Sequence, residues 1–129
     1  TARGWGQGLG LSKVTWTGKV PFDIKDIRIA KDGFDFVFTK PVTELKADQL
    51  KFESFVYEYT HGYNSKMLNK KQLKASSVKI ASDGMSAHLS VAGLEEDTVV
   101  YINYKSLKAK DGSKVQYGET WYTLNKLKK

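Results

Sequence analysis

The chain has 129 residues, a formal net charge of +7 and no cysteine, which is the size of one domain and long enough to bury a core without a disulfide or metal staple. The missing cysteines exclude disulfides, thiolate zinc centres, iron–sulfur clusters, c-type haem attachment and cysteine nucleophiles, and no apolar run reaches the roughly 18–20 residues of a membrane-spanning helix. The positive charge does not point to nucleic acid: it is nearly all lysine, with Arg3 and Arg28 the only arginines, whereas nucleic-acid readers lean on arginine for bidentate contacts.

Thr1-Ala2-Arg3-Gly4-Trp5-Gly6 has neither the basic region nor the apolar stretch of a signal peptide, so if the parent protein is exported its targeting segment is expected outside these residues. Residues 1–22 read as an arm or linker, beginning with Gly4, Gly6, Gly8 and Gly10 around Trp5 and showing no periodicity. A glycine-rich phosphate cradle has to lead into a helix N-terminus, and nothing helical follows. Trp5 and Trp16 are expected to fold back onto the body or to pack on a partner, because an exposed indole is costly.

From Ile24 the sequence reads as short strands separated by turns. Ile24 to Ala30 leads through Lys31-Asp32-Gly33 into Phe34 to Thr39, and the Asp-Gly pair predicts a tight hairpin with positive-φ residues. Phe34, Phe36 and Phe38 alternate onto one face, where each buried ring is worth roughly 1.5–3 kcal/mol. Lys40-Pro41 ends that strand, and Val42 to Leu50 fits either a short helical turn or an irregular crossover. Lys51 to Tyr59 is a strand apolar on both faces, with Phe52 and Val56 on one and Phe55, Tyr57 and Tyr59 on the other. Thr60 to Ala75 reads as a long polar loop. Ser77 to Ala81 and Ala87 to Val91 form a second Asp-Gly hairpin across Ser82-Asp83-Gly84, and Gly93 to Asp97 is a turn. Thr98 to Tyr104, the turn at Asp111-Gly112 and Glu119 to Leu124 complete about seven strands. That spacing predicts an all-β fold, a two-sheet sandwich of the immunoglobulin or fibronectin type III kind over residues 23–125, with a basic tail over 126–129.

The polar residues assemble no catalytic or metal-binding motif. His61 and His88 have no carboxylate at a metal-ligand spacing, and His88 is expected to face solvent from a strand. Glu95-Glu96-Asp97 reads as a solvated turn, and no calcium-loop pattern occurs. The aromatic residues carry more information: Trp5, Trp16, Tyr57, Tyr59, Tyr63, Trp121 and Tyr122 exceed what one small core holds. Such rings suit either an interface between domains or a surface that stacks on sugars, where His61 and Asn64 would join Tyr57, Tyr59 and Tyr63.

Three stretches carry a family resemblance. Arg3-Gly4-Trp5-Gly6 with Thr15-Trp16-Thr17-Gly18-Lys19-Val20-Pro21-Phe22-Asp23-Ile24 resembles a junction in large secreted bacterial proteins. Those proteins join a propeller similar to pyrroloquinoline-quinone-dependent glucose/sorbosone dehydrogenases to an immunoglobulin-like module. Asp32 to Val42 resembles the first hairpin of that module, and Tyr122-Thr123-Leu124-Asn125 its closing strand. The resemblance implies that the arm is the exit from a propeller and that the remainder is its non-catalytic neighbour, periplasmic or extracellular. Quinone-binding and catalytic residues would belong to the propeller, so no cofactor and no catalytic residue is expected here.

The expected function is that of an accessory module of an exported, sugar-oxidising or polysaccharide-processing protein. It would pack against neighbouring domains of the same polypeptide through Trp5, Trp16 and the exposed rings. Two other readings stay open: a carbohydrate-binding module using Tyr57, Tyr59, His61, Tyr63 and Asn64 on a polysaccharide, and a structural or adhesive cell-surface repeat.

Overall fold

A computed structural model describes residues 10–58 and 66–128 of the chain. Eight strands run through these residues in the order β1 (Ile24–Ile29), β2 (Gly33–Phe38), β3 (Lys51–Tyr57), β4 (Met67–Leu73), β5 (Ala75–Ile80), β6 (Ser86–Val91), β7 (Thr98–Asn103) and β8 (Glu119–Leu124). They form two antiparallel sheets of four strands, β1-β2-β6-β5 and β4-β3-β7-β8. In immunoglobulin lettering these are A-B-E-D and C′-C-F-G, so the fold is an immunoglobulin-like sandwich.

Period-2 alternation places the core between the sheets. Phe34, Phe36 and Phe38 of β2 are completely buried, as are Leu89 of β6 and Val100 and Ile102 of β7. Phe34 organises the ring packing: it stacks on Phe52 across the two sheets (centroids 6.1 Å apart, planes within 7°) and meets Tyr122 edge-on at 5.3 Å. Phe22 is the first residue of this core and packs against Phe38. Two hydrogen bonds fix the entry of the chain there, from Thr39 Oγ1 to the Pro21 carbonyl (2.7 Å) and from the Gln116 N–H to the Phe22 carbonyl (3.1 Å). At the other end, the Leu127 N–H donates to Glu96, which draws the start of the basic tail onto the body.

Two local expectations change. The stretch read as a loop over Thr60 to Ala75 contains β4, which is exposed along all but its last residue and shows no apolar–polar alternation, with Met67 and Leu68 followed by Asn69, Lys70, Lys71 and Gln72. An edge strand of that kind is held by backbone pairing to β3 and needs no alternation, which removes the signal that sequence reading depends on. Only Lys74 separates β4 from β5, so the chain switches sheets there without a loop. The segment Val42 to Leu50 contains one 3-10 turn, Ala47–Gln49, with the Gln49 side chain accepting from the Lys46 N–H.

The second change concerns the two Asp-Gly hairpins. Gly84 has the positive φ (+70°) that the second hairpin needs, as does Gly112 (+85°) in the Asp111-Gly112 turn. Gly33 does not. It lies within β2, where a Cβ would sit 1.8 Å from the Leu89 carbonyl oxygen. Close approach of two strands, and not turn geometry, requires a glycine at this position.

Candidate interaction surfaces

Of the residues singled out from the sequence, Trp5, Tyr59, His61, Tyr63 and Asn64 lie outside the described residues. Trp16 and Tyr57 are described. Trp16 is 76% exposed and does not fold back onto the body; Leu11 and Val14 of the same arm are 93% and 96% exposed. The arm therefore presents apolar side chains to solvent on a segment that makes no strand pairing.

Tyr57 lies at the end of β3 on the outer face of the second sheet, half-exposed, with its ring edge-on to Phe55 (5.2 Å, 85°). Phe55 is buried yet stands outside the core cluster, because Ser54 and Phe52 take the inward positions. The register continues this outer face across β7 and β8: Phe55 pairs with Val99, and Glu53 with Tyr101, which pairs in turn with Trp121. Trp121 is 53% exposed and lies 5.3 Å from Tyr101, whereas its neighbour Tyr122 points inward to Phe34. Trp121 and Tyr122 thus divide between surface and core, as alternation requires.

Polar groups brace this face. Tyr101 donates to Glu119 Oε2 (2.7 Å), Asn103 Nδ2 donates to the Tyr101 hydroxyl (3.2 Å), and Lys105 Nζ lies 3.5 Å from Glu119. The Tyr101 hydrogen bond, helped by Lys105, lowers the Glu119 pKa, and the same bond to a carboxylate raises that of Tyr101. Gln72 Nε2 donates to Glu53 (2.6 Å), so carboxylates on both sides of the Tyr101–Trp121 pair are held.

The outer face of the first sheet is different in character. Registers β1–β2, β2–β6 and β5–β6 align Arg28, Asp35, His88 and Lys79 in one row across four strands. His88 faces outward as expected, but it is not simply solvated: its Nδ1 lies 2.5 Å from Asp35 Oδ1 and its Nε2 lies 2.9 Å from Asp32 Oδ1. Ser90 Oγ donates to Asp32 Oδ2 (2.7 Å). The Asp35 hydrogen bond is the main cause of a raised His88 pKa, with Asp32 adding to it. Ser90 is the main cause of a lowered Asp32 pKa. Since carboxylates occupy both ring nitrogens, His88 offers no free nitrogen to a substrate, and the cluster reads as an ionic clamp. Among the described residues, no three His, Asp or Glu side chains are grouped to hold a metal ion.

Sequence reading missed this clamp because Asp32 and Asp35 lie more than fifty residues before His88. The available signal was the strand order: once β2 and β6 pair with Phe34 opposite Leu89, Asp35 must face His88. Tyr101 was missed for a similar reason, as its partner Trp121 becomes its neighbour only through the β7–β8 register.

No family model matches the chain, and no curated protein does. Among solved structures, the chain is similar to part of the S-layer protein rSbsC, with a TM-score of 0.57 and 21% identity over 83% of this chain. It spans 14% of that protein's length. At that identity the likeness is one of fold.

Proposed function

We propose that this chain is a non-catalytic structural module of an exported multidomain protein, which packs against and spaces its neighbouring domains. The observation that carries the reading is the arm: Leu11, Val14 and Trp16 stand almost wholly in water while Pro21 and Phe22 are anchored to the body. Apolar residues in that position, on a tether fixed at one end, are suited to a surface outside the module. The fold likeness to one portion of a much longer S-layer protein supports a place on the cell surface or outside the cell. For the neighbour itself, the resemblance of the arm and first hairpin supports a propeller similar to the quinone-dependent dehydrogenases.

Trp16 tests this directly. With Trp5→Phe and Trp121→Phe it becomes the single tryptophan of this chain, and acrylamide quenching of the emission that a further Trp16→Phe removes is compared in this chain alone and in the longer polypeptide that includes the preceding domain. Quenching should fall several-fold in the longer protein. Equal quenching in both would count against interdomain packing through the arm.

A second reading rests on Tyr57 and Trp121, two half-exposed rings on one sheet face interleaved with Glu53, Asn103 and Glu119. Rings for stacking with polar groups between them suit a polysaccharide. Affinity electrophoresis through gels containing soluble glycans tests it: retardation abolished by Tyr57→Ala supports binding, and unretarded migration in every gel removes it.

A further inference from the structure

Among the described strands, four lie at sheet edges, and three of them are protected in the ways that prevent edge-to-edge pairing. β1 carries Lys25 and Arg28 and breaks register between Ile24 and Asp26. β5 carries Lys79 and breaks register between Ala75 and Ser77. β4 carries Lys70 and Lys71, has Asn69 at positive φ, and pairs with β3 through a register shift at Ser54/Val56. β8 has none of these devices. Its sequence Glu-Thr-Trp-Tyr-Thr-Leu contains no lysine and no proline, and it pairs with β7 without a break from Glu119 to Leu124.

The direction of its backbone groups follows from the ladder. The Tyr104 N–H donates to the Gly118 carbonyl (2.7 Å), in the register that pairs Thr120 with Ile102 and Tyr122 with Val100. Antiparallel ladders alternate hydrogen-bonded and non-hydrogen-bonded residues. Thr120, Tyr122 and Leu124 therefore bond to β7, and Glu119, Trp121 and Thr123 turn their N–H and C=O groups to the free side. Those same three residues place their side chains on the outer face of the sheet, opposite to the inward Tyr122 and Leu124.

We propose that β8 is a self-pairing edge, on which a second copy of this chain docks its own β8 antiparallel about a two-fold axis through Trp121. A partner edge has to be equally bare and must not oppose positive charge to a chain of net +7; among the described strands only β8 qualifies. The axis through Trp121 uses every free backbone group: Trp121 exchanges both its bonds with the second copy's Trp121, and Glu119 does so with the second copy's Thr123. No like charges face each other, since Glu119 is the single charged residue of the strand and stands across from a threonine. On the outer face the pairing joins two Tyr101–Trp121 pairs into one row of four rings and covers the half-exposed indole. The interface is isologous, so it closes at two copies and does not propagate.

The test is sedimentation of the full chain from about 10 µM to about 1 mM, a range suited to an interface smaller than standard size, beside Thr123→Pro and Trp121→Lys. Thr123→Pro removes an outward N–H while leaving the β7 ladder intact; Trp121→Lys installs the charge that the other edges already carry. The mass of the native chain should rise toward twice the monomer, and both variants should stay monomeric with circular dichroism like that of the native chain. If the proline variant does not fold, the lysine variant carries the test alone. A native chain that stays monomeric across the range overturns the proposal. So does association that survives both variants, or association that is lost on Trp16→Asp but kept in Thr123→Pro, which would assign the contact to the arm.

Discussion

Asp35 and His88, 53 residues apart in the sequence, meet across the β2–β6 ladder with 2.5 Å between carboxylate and imidazole, and Asp32 closes on the other ring nitrogen at 2.9 Å. A neutral imidazole has one N–H, so donating to both carboxylates at once requires the imidazolium. The pair therefore ties the outer row of the first sheet to the protonation of one side chain.

That tie has a sign. The His88 pKa is raised in the folded chain, so its contribution is fully present below the unfolded histidine value of about 6.5 and is lost as pH rises through the folded value. Arg28 and Lys79 flank the row on either side. The melting temperature should fall as pH rises above about 6.5 and through the raised folded value, and His88→Gln should flatten that slope. Asp32, whose pKa is lowered chiefly by Ser90, works in the opposite sense at the acid end: its contribution is present above the unfolded value and fades as pH falls through the folded one. A pH series of thermal melts on the native chain and His88→Gln separates the two limbs, and an unchanged slope above pH 6 in the variant would assign it elsewhere.

Phe34 joins both sheets through one stacked and one edge-on ring contact, and no part of it reaches solvent. Phe34→Ala should cost about 3–5 kcal/mol, as large-to-small changes at buried aromatic sites do, whereas Phe55→Ala, outside the main cluster, should cost less. Urea unfolding of the two variants measures the order.

Gly33 and Gly112 are both the glycine of an Asp-Gly pair, and alanine should treat them very differently. At Gly112 the new Cβ meets nothing within 4 Å and only the φ of +85° resists it, a cost of roughly 1 kcal/mol. At Gly33 the Cβ would collide with the Leu89 carbonyl, which belongs to a central strand and cannot give way without breaking the β2–β6 ladder. Gly33→Ala should be the far more damaging of the two, as read from expression and melting temperature.

The exposed arm makes the opposite kind of prediction. Trp16→Ala should leave the stability of this chain within about 0.5 kcal/mol of the native value, because the indole makes little contact with the body. A larger loss in chemical denaturation would show that the arm packs on the module itself.

The fold was legible in the sequence wherever the signal is local. Alternating phenylalanines declared β2 and its inward face, since three large side chains at period 2 leave few alternatives. Gly84 and Gly112 were legible because turn chemistry is local. β4 was not, because an exposed edge strand without alternation owes its existence to a partner, and Gly33 was assigned the wrong reason because the clash that excludes a side chain comes from a strand 56 residues later. The His88 clamp and the Tyr101–Trp121 pair had the same obstacle: each is a product of register, which single-strand patterns do not contain.

The chain enters β1 and leaves β8 at opposite poles of the body. β1 and β8 both start where the Gln116 N–H meets the Phe22 carbonyl, and β8 ends beside Thr98, where Leu127 reaches Glu96. A pull applied between the two ends thus runs along the terminal strands. It loads the β1–β2 and β7–β8 ladders in shear, with their hydrogen bonds sharing the tension together instead of opening one after another like a zip. Placed in series within a long surface polypeptide, such a unit would yield late under stretching, and β1, whose register breaks between Ile24 and Asp26, would be the strand to go first.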